Sequence, residues 1–232
     1  MIEAGNIISY LDMCREEGVN LQRGMNFHLK GSYSVILMSV RPNAPYADKI
    51  EDNGKILIYE GHDIPKTKDV NEPKTFDQPM YNPSGTYTQN GLFYNAANNY
   101  KKRSSKAENV KVYEKIKPGI WVYNGLFILI DSWTEKSNNR NVFKFRLELI
   151  DDENSVKSNQ VIVELEHNRI IPSSVKIEVW KRDKGKCVKC GNEENLHFDH
   201  IIPYSKGGTS LFAENIQLLC AKHNLEKRDK IQ

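Results

Sequence analysis

Eight residues in the last part of the chain have types and spacings suited to chemistry: Cys187, Cys190, Asp199, His200, Asn215, Cys220, His223 and Asn224. Cys187 with Cys190, and Cys220 with His223, have the spacing of a closed tetrahedral zinc site made of three thiolates and one imidazole. A closed site keeps no open position, so that Zn²⁺ would be a staple. About thirty residues separate the pairs, too many for a two-histidine DNA-binding finger with its ~12-residue spacing. The other four residues are left for other work. A carboxylate with an amide oxygen or imidazole nitrogen makes half a site for a hard divalent cation, which water and phosphate oxygens complete. A histidine beside it can act as a general base near neutral pH. An ion with a neighbouring base is chemistry for hydrolysing a phosphodiester. A lone histidine is more often structural; it is the set that argues for function.

The elements that must hold these groups can be read nearby. Leu-His-Phe-Asp-His-Ile-Ile, residues 196–202, alternates like a strand and stops at Pro203. Lys206-Gly207-Gly208 is a turn signal before Asn215, and Asn224 stands at the start of a predicted helix. Upstream, Pro172-Ser173-Ser174 opens a predicted helix with a Ser cap, with Val175, Val179 and Trp180 on one face. A module of about 60 residues is marginal on core burial alone, and zinc can supply the missing stability.

The whole chain has 232 residues, 39% hydrophobic and 27% charged, which allows two small soluble domains or one large one. No run approaches the ~20 apolar residues of a membrane span, and no basic segment followed by an apolar one opens the chain. Three of the four cysteines lie in the stapled stretch and Cys14 is alone, which fits a reducing cytoplasm. The net charge of +3 is carried by residues 173–232, with 11 Lys and Arg against 8 Asp and Glu. That excess is compatible with phosphate contact but does not by itself point to nucleic acid.

In the first 150 residues a helix is predicted at 7–17 with Gly18 as its stop, and another at 90–103. Strands are predicted at 34–40, 55–59, 110–115, 120–133 and 141–150, and 61–87 is a long irregular excursion. The pattern predicts an α+β or mainly β domain with a curved or barrel-like sheet. The polar run 151–159 marks the boundary, and 161–166 is one more strand or part of the connector. The expected organisation is 1–155, a linker at 156–172, and a module at 173–232.

Two resemblances sharpen this reading. The segment WKRDKGKCVKCG…LHFDHIIPYSKGGTSLFAENIQLLCAKHNLEK resembles an HNH nuclease domain of ββα-metal fold over about residues 173–230. The resemblance implies His200 as the base that activates water, and Asp199 and Asn224 as ligands of a catalytic Mg²⁺ or Mn²⁺. It implies Asn215 as the residue orienting the loop of the base. Many members have Cys at the position of His223 and His at that of Asn224; the distance from Cys220 assigns His223 to zinc here. His197 is a secondary candidate for metal or DNA contact.

Elements from LQRGMNF to KVYEKIKPGIWVYNGLFILIDSWTEKSNNRNVFKFRLELI, over residues 21–152, occur in the order seen in SRA (YDG) domains, which belong to the PUA-like architecture. The family's Tyr-Asp-Gly is here Tyr123-Asn124-Gly125. The resemblance implies a domain that flips 5-methylcytosine or 5-hydroxymethylcytosine into a pocket, with Tyr46 and Tyr59 stacking on the base and Asp48 accepting from its amino group. A strand-end core aromatic is an equal reading of Tyr59. Glu60 replaces a frequent Thr and contributes through its backbone. Thr88, Asn90 and Asn95 lie in a segment resembling the family's DNA-contacting turn and helix. The cluster at 101–106 suits phosphate contact or a solvated helix end equally.

Together these imply a modification-dependent DNA endonuclease of a type IV or IIM-like restriction kind, in bacterial or phage defence, acting on double-stranded DNA as a cytoplasmic homodimer. The alternatives are an HNH nuclease of the homing or repair type that ignores base modification, and a non-catalytic reader of modified DNA.

Overall fold

The structure is a computed structural model and describes residues 2–29, 31–150, 170–228 and 230–231. Its strands are β1 (Ile7–Ser9), β2 (Met25–Leu29), β3 (Tyr33–Met38), β4 (Lys49–Glu51), β5 (Ile56–Glu60), β6 (Glu108–Lys117), β7 (Ile120–Ser137), β8 (Arg140–Leu149), β9 (Leu196–His200) and β10 (Ile216–Cys220). Its α-helices are α1 (Tyr10–Glu17), α2 (Gln89–Lys101), α3 (Ser173–Arg182) and α4 (Ala221–Lys227). This is the expected α+β arrangement.

β7 organises the larger sheet, whose order is β2-β3-β6-β7-β8-β5-β4 with β1 added beside the start of β7. The first half of β7 pairs with β6 and its second half with β8, both antiparallel. One strand serves both neighbours along its two edges, with pairings that overlap at Phe127–Leu129, and it bends at two irregularities. Its pairing with β6 slips where Asn124 is an extra residue opposite the Val112–Tyr113 step, and its pairing with β8 slips between Leu129 and Asp131. Such bulges curve a sheet and redirect side chains. α2 lies across the curved face. Phe93 and Ala97 are fully buried there, against Met25, Phe127 and Phe145. Thr88 caps α2 by accepting from the Gly91 N–H at 3.2 Å.

The C-terminal module is the β9–β10 hairpin flanked by α3 and α4. Its apolar side is not closed by itself. Val175, Val179, Phe198 and Leu218 share one core with Ile116 and Val122 of the large sheet. The N-terminal segment stitches the seam, since the Phe198 N–H donates to the Gly5 carbonyl at 3.3 Å and Asn6 bridges His197.

Several local expectations are corrected. The helix predicted from residue 7 begins at Tyr10, because Ile7 and Ile8 pair with Val122 and Trp121. Ser9 then caps it, accepting from the Asp12 N–H at 3.1 Å, and Gly18 closes it at φ +63°. α3 has no Ser cap: Pro172 is its cap residue, and Ser173 lies inside the first turn, buried. The segment 61–87 is irregular apart from a single 3₁₀ turn at Pro73–Thr75 and one bridge between Tyr81 and Tyr87. The boundary at 151–159, the strand at 161–166 and most of the 156–172 linker lie outside the described residues.

Candidate functional site

The four residues that could hold zinc come from three elements. Cys187 and Cys190 sit on a knuckle closed by the Gly191 N–H donating to the Cys187 carbonyl at 2.8 Å. Cys220 ends β10 and His223 is in the first turn of α4. All four ligand atoms lie within 4.8 Å of one another. The Cys190–Cys220 Sγ separation is 3.8 Å, and His223 Nδ1 lies 3.4 and 3.3 Å from the sulfurs of Cys187 and Cys220. Zn–S bonds of about 2.3 Å in a tetrahedron require sulfurs about 3.8 Å apart. The residues therefore fit Zn²⁺, with no side left open.

Asp199 and His200 end β9, so their side chains leave opposite faces of the hairpin. His200 Nε2 is 2.8 Å from Oγ of the buried Ser210, which fixes the imidazole plane. Burial lowers the His200 pKa and keeps the ring neutral, the state a base requires, while Asp199 opposes that shift. On the other face the Asp199 carboxylate accepts from Gln217 at 3.1 Å and pairs with Lys227 at 3.1 Å. Lys227 is buried and also donates to the His200 carbonyl at 2.5 Å. Sequence reasoning gave Lys227 no role; its signal was its place one helical turn after Asn224.

Asn215 is the tie of the loop. Its side-chain oxygen accepts from the Ile202 N–H at 2.8 Å, and its amide donates to the carbonyls of Thr209 at 2.9 Å and Ile202 at 3.2 Å. Gly208 is the close approach that allows this. A Cβ there would overlap the Ile202 carbonyl oxygen and lie 2.9 Å from the Asn215 amide nitrogen.

Asn224 opens, with His197, onto a groove of about 750 Å³ that Glu3, Asn6 and Trp180 also line. In the amide orientation that satisfies both groups, Asn6 donates to His197 Nδ1 at 2.8 Å. The module thus brings His200 and Asn215 to one loop, while Asp199 faces Gln217 and Lys227 and Asn224 lies on the helix packed against β9.

In the sheet domain, Tyr46, Asp48 and Tyr59 line one open cleft of about 1620 Å³. Tyr59 is fully buried and Tyr46 half-buried. Between them stands a residue the sequence reading did not choose. The His62 ring stacks on Tyr46 with centroids 5.6 Å apart, and its Nε2 lies 3.0 Å from the Tyr59 hydroxyl. Burial lowers its pKa to about 4, so it is neutral. Asn90 fixes its backbone, accepting from the His62 N–H and donating to its carbonyl, both at 2.8 Å. Asn90 is therefore a buried brace, not the DNA contact its position implied; Thr88 caps its helix, and Asn95 is exposed.

Asp48 accepts from the backbone N–H groups of Ser39 at 3.0 Å and Glu60 at 3.1 Å. Burial still pushes its carboxyl up to about 7. Glu60 contributes through its side chain as well as its backbone. It is buried, accepts from the Ala47 N–H at 3.2 Å, and pairs with Lys144 at 2.9 Å and Arg140 at 3.5 Å. This charge network holds the loop that carries Tyr46 and Asp48. In the 101–106 cluster, Lys101 pairs with Asp131 at 2.6 Å.

The fold and the site define a curved-sheet domain joined to a hairpin–helix module whose Cys187, Cys190, Cys220 and His223 could hold a metal ion. Residues 187–230, in the C-terminal module, match the family model described as HNH endonuclease. No curated protein matches the chain. Among solved structures it is similar to the SUVH5 SRA domain complexed with hemi-methylated CG DNA, at 28% identity over 64% of this chain and 89% of that one, with a TM-score of 0.44. It is similar to SUVH5 SRA bound to fully hydroxymethylated CG DNA, at 25% identity with the same coverages and a TM-score of 0.45. It is also similar to the modification-dependent TagI restriction endonuclease, at 18% identity over 97% of this chain and 76% of that one, with a TM-score of 0.43. Among the described residues, no helix is long and apolar enough to cross a membrane.

Proposed function

We propose that the chain is a modification-dependent DNA endonuclease: the sheet domain flips out 5-methylcytosine or 5-hydroxymethylcytosine, and the HNH module hydrolyses a nearby phosphodiester. The observation that carries the hydrolytic half is the loop of Asp199 and His200, tied by Asn215 inside the segment that matches the HNH family. A flipped base needs aromatic faces and polar groups to read its edge. The cleft offers Tyr46, Tyr59 and His62 for the first, and the Asp48 carboxylate, suited to a cytosine amino group, for the second.

In the nuclease module, His200 takes a proton from water as its oxygen attacks phosphorus, and the P–O bond to the departing strand breaks. Ser210 and Asn215 hold the ring and its loop in place. Asp199 and Asn224 would hold Mg²⁺ or Mn²⁺, and such an ion would supply positive charge to the phosphate and the leaving oxygen. Asp199 then shares its carboxylate with Lys227. Zn²⁺ held by Cys187, Cys190, Cys220 and His223 would be structural, since the four ligands leave it no open position. A homodimer in a reducing cytoplasm, with a type IV or IIM-like restriction role, completes the proposal.

The test is cleavage of matched duplexes bearing cytosine, 5-methylcytosine or 5-hydroxymethylcytosine, with Mg²⁺. Cutting of modified duplexes alone is expected. Equal cutting of all would favour a homing or repair type of nuclease, and binding without cutting a non-catalytic reader. His200→Ala is expected to abolish measurable cutting, with a loss of at least about 100-fold, while binding of modified duplex persists; a variant that still cuts overturns the assignment of the base.

A further inference from the structure

The seam between the two modules contains a group that neither reading nor hydrolysis uses. Lys176, in α3 of the HNH module, is buried, and its ammonium lies 2.8 Å from the carboxylate of Glu114 on β6 and 2.6 Å from the side-chain oxygen of Asn124 on β7. The Asn124 amide donates to the same Glu114 carboxylate at 3.0 Å. The three side chains form a closed triangle with exposures of 2% for Lys176, 1% for Glu114 and 4% for Asn124.

We propose that Lys176, Glu114 and Asn124 are positioning residues that fix the nuclease module on the reading domain, so that the cut falls at one set distance from the modified base. This rests on the proposed reading function. Elsewhere the seam is apolar contact of Ile116 and Val122 with Val175, Val179 and Phe198, bordered by the bridge from Gly5 and Asn6 to β9, and no other ion pair joins the two modules among the described residues. Apolar contact is non-directional and tolerates small slides. A buried ion pair does not, because any slide leaves two desolvated charges without partners. Specifying one arrangement is the best-attested use of such a group.

The chemistry of position 124 follows from this triangle. Its side chain must accept from an ammonium and donate to a carboxylate at once. An amide does both; a carboxylate has nothing to donate. Asn124 reaches the seam because it is the extra residue of the β7 bulge, with Gly125 behind it at φ +111°. The asparagine in Tyr123-Asn124-Gly125 is thus explained by its Lys176 and Glu114 partners.

The test uses the full chain and an end-labelled duplex with one modified cytosine. The wild type is expected to cut at one dominant phosphate in each strand. Lys176→Glu, which sets two carboxylates together, is expected to keep modification dependence but lower the fraction of cuts at that phosphate several-fold. Adding Glu114→Lys to the same chain is expected to restore it. Asn124→Asp, a nearly isosteric change, is expected to scatter the cuts more mildly and serves if Lys176→Glu fails to fold. A scattered wild-type pattern overturns the proposal, as does a Lys176→Glu or Asn124→Asp enzyme that keeps the wild-type position. Equal wild-type cutting of unmodified duplex is the separate failure of the reading function. The clamp is then measured directly, from the distance distribution between bio-orthogonal spin labels at exposed Lys136 and Glu226. A narrow wild-type distribution that broadens in Asn124→Asp supports it, and equal widths overturn it.

Discussion

Asp48 shows how one carboxyl can serve a cleft at a cost to the fold. Burial raises its pKa from the ordinary 3.8 to about 7, although two backbone N–H groups favour its charged form. The folded chain therefore holds this proton at pH values where the unfolded chain has released it. Stability linked to Asp48 falls as pH rises from about 4 to about 7 and is level above that. Asp48→Asn removes the titration. The midpoint of urea unfolding, measured from pH 4 to pH 8, is expected to fall in the wild type relative to the variant as pH rises. Background titrations cancel in the difference, and a pH-independent difference contradicts the assignment. Gly208 offers a second test at this scale. A methyl group there overlaps the Ile202 carbonyl and crowds the Asn215 amide, so the loop behind His200 must move. A displacement near 1 Å can cost about 100-fold in rate. Gly208→Ala is expected to cut about 100-fold more slowly while binding modified duplex as the wild type does.

At the scale of elements, legibility followed periodicity and locality. β8 was readable because Phe143, Phe145 and Leu147 alternate with polar residues and are buried together in one core. β1 was read as the start of a helix because Ile7, Ile8 and Leu11 are spaced as on a helix; pairing of Ile7 and Ile8 with Val122 and Trp121 overrode that period. β2, β4 and β10 are short and take their identity from their partners. In the nuclease module, order and spacing in the chain carried the zinc set and the Asp199–His200 pair. The partners of Lys227 and Lys176 did not show. A lysine on an amphipathic helix reads as surface until Asp199 and Glu114 are brought to it across the fold. His62 was silent for the same reason, since its role depends on Tyr46, Asn90 and a glycine at 24 whose Cβ would lie 2.8 Å from its ring. The zinc knuckle itself is testable. α4 has 7 residues, below the ~12 at which isolated helices become even marginal. Its order thus depends on His223 and Cys220 being held. Cys190→Ser, or chelation of the metal, is expected to abolish cutting and release bound zinc in a chromogenic assay. Binding of modified duplex is expected to survive, because the Phe93–Phe127–Phe145 core needs no metal. Loss of both functions together would mean that disruption of the knuckle spreads to the sheet domain through the core that Cys187 and Cys220 share with Ile116 and Val122.

At the scale of the whole molecule, the segment that matches the HNH family, residues 187–230, holds one proposed base, His200. One such site cuts one strand. The strands of a duplex run antiparallel, so a second cut of the same geometry needs a second module related to the first by a two-fold axis. With the module locked to its own reading domain, it cannot simply swing to the other strand. Double-strand cleavage should then require two chains at one place. On a supercoiled plasmid with few modified sites, nicked circles are expected to accumulate when enzyme is scarce. The initial rate of linear product should rise with about the square of enzyme concentration, while nicking rises with its first power. Mixing wild type with an excess of His200→Ala chains sharpens the test. If two chains cooperate, the inactive chain occupies the partner position and linear product falls while nicked product persists. A linear-product rate that is first order in enzyme and indifferent to the inactive chain would instead mean that a single chain cuts both strands, and the dimer would be discarded.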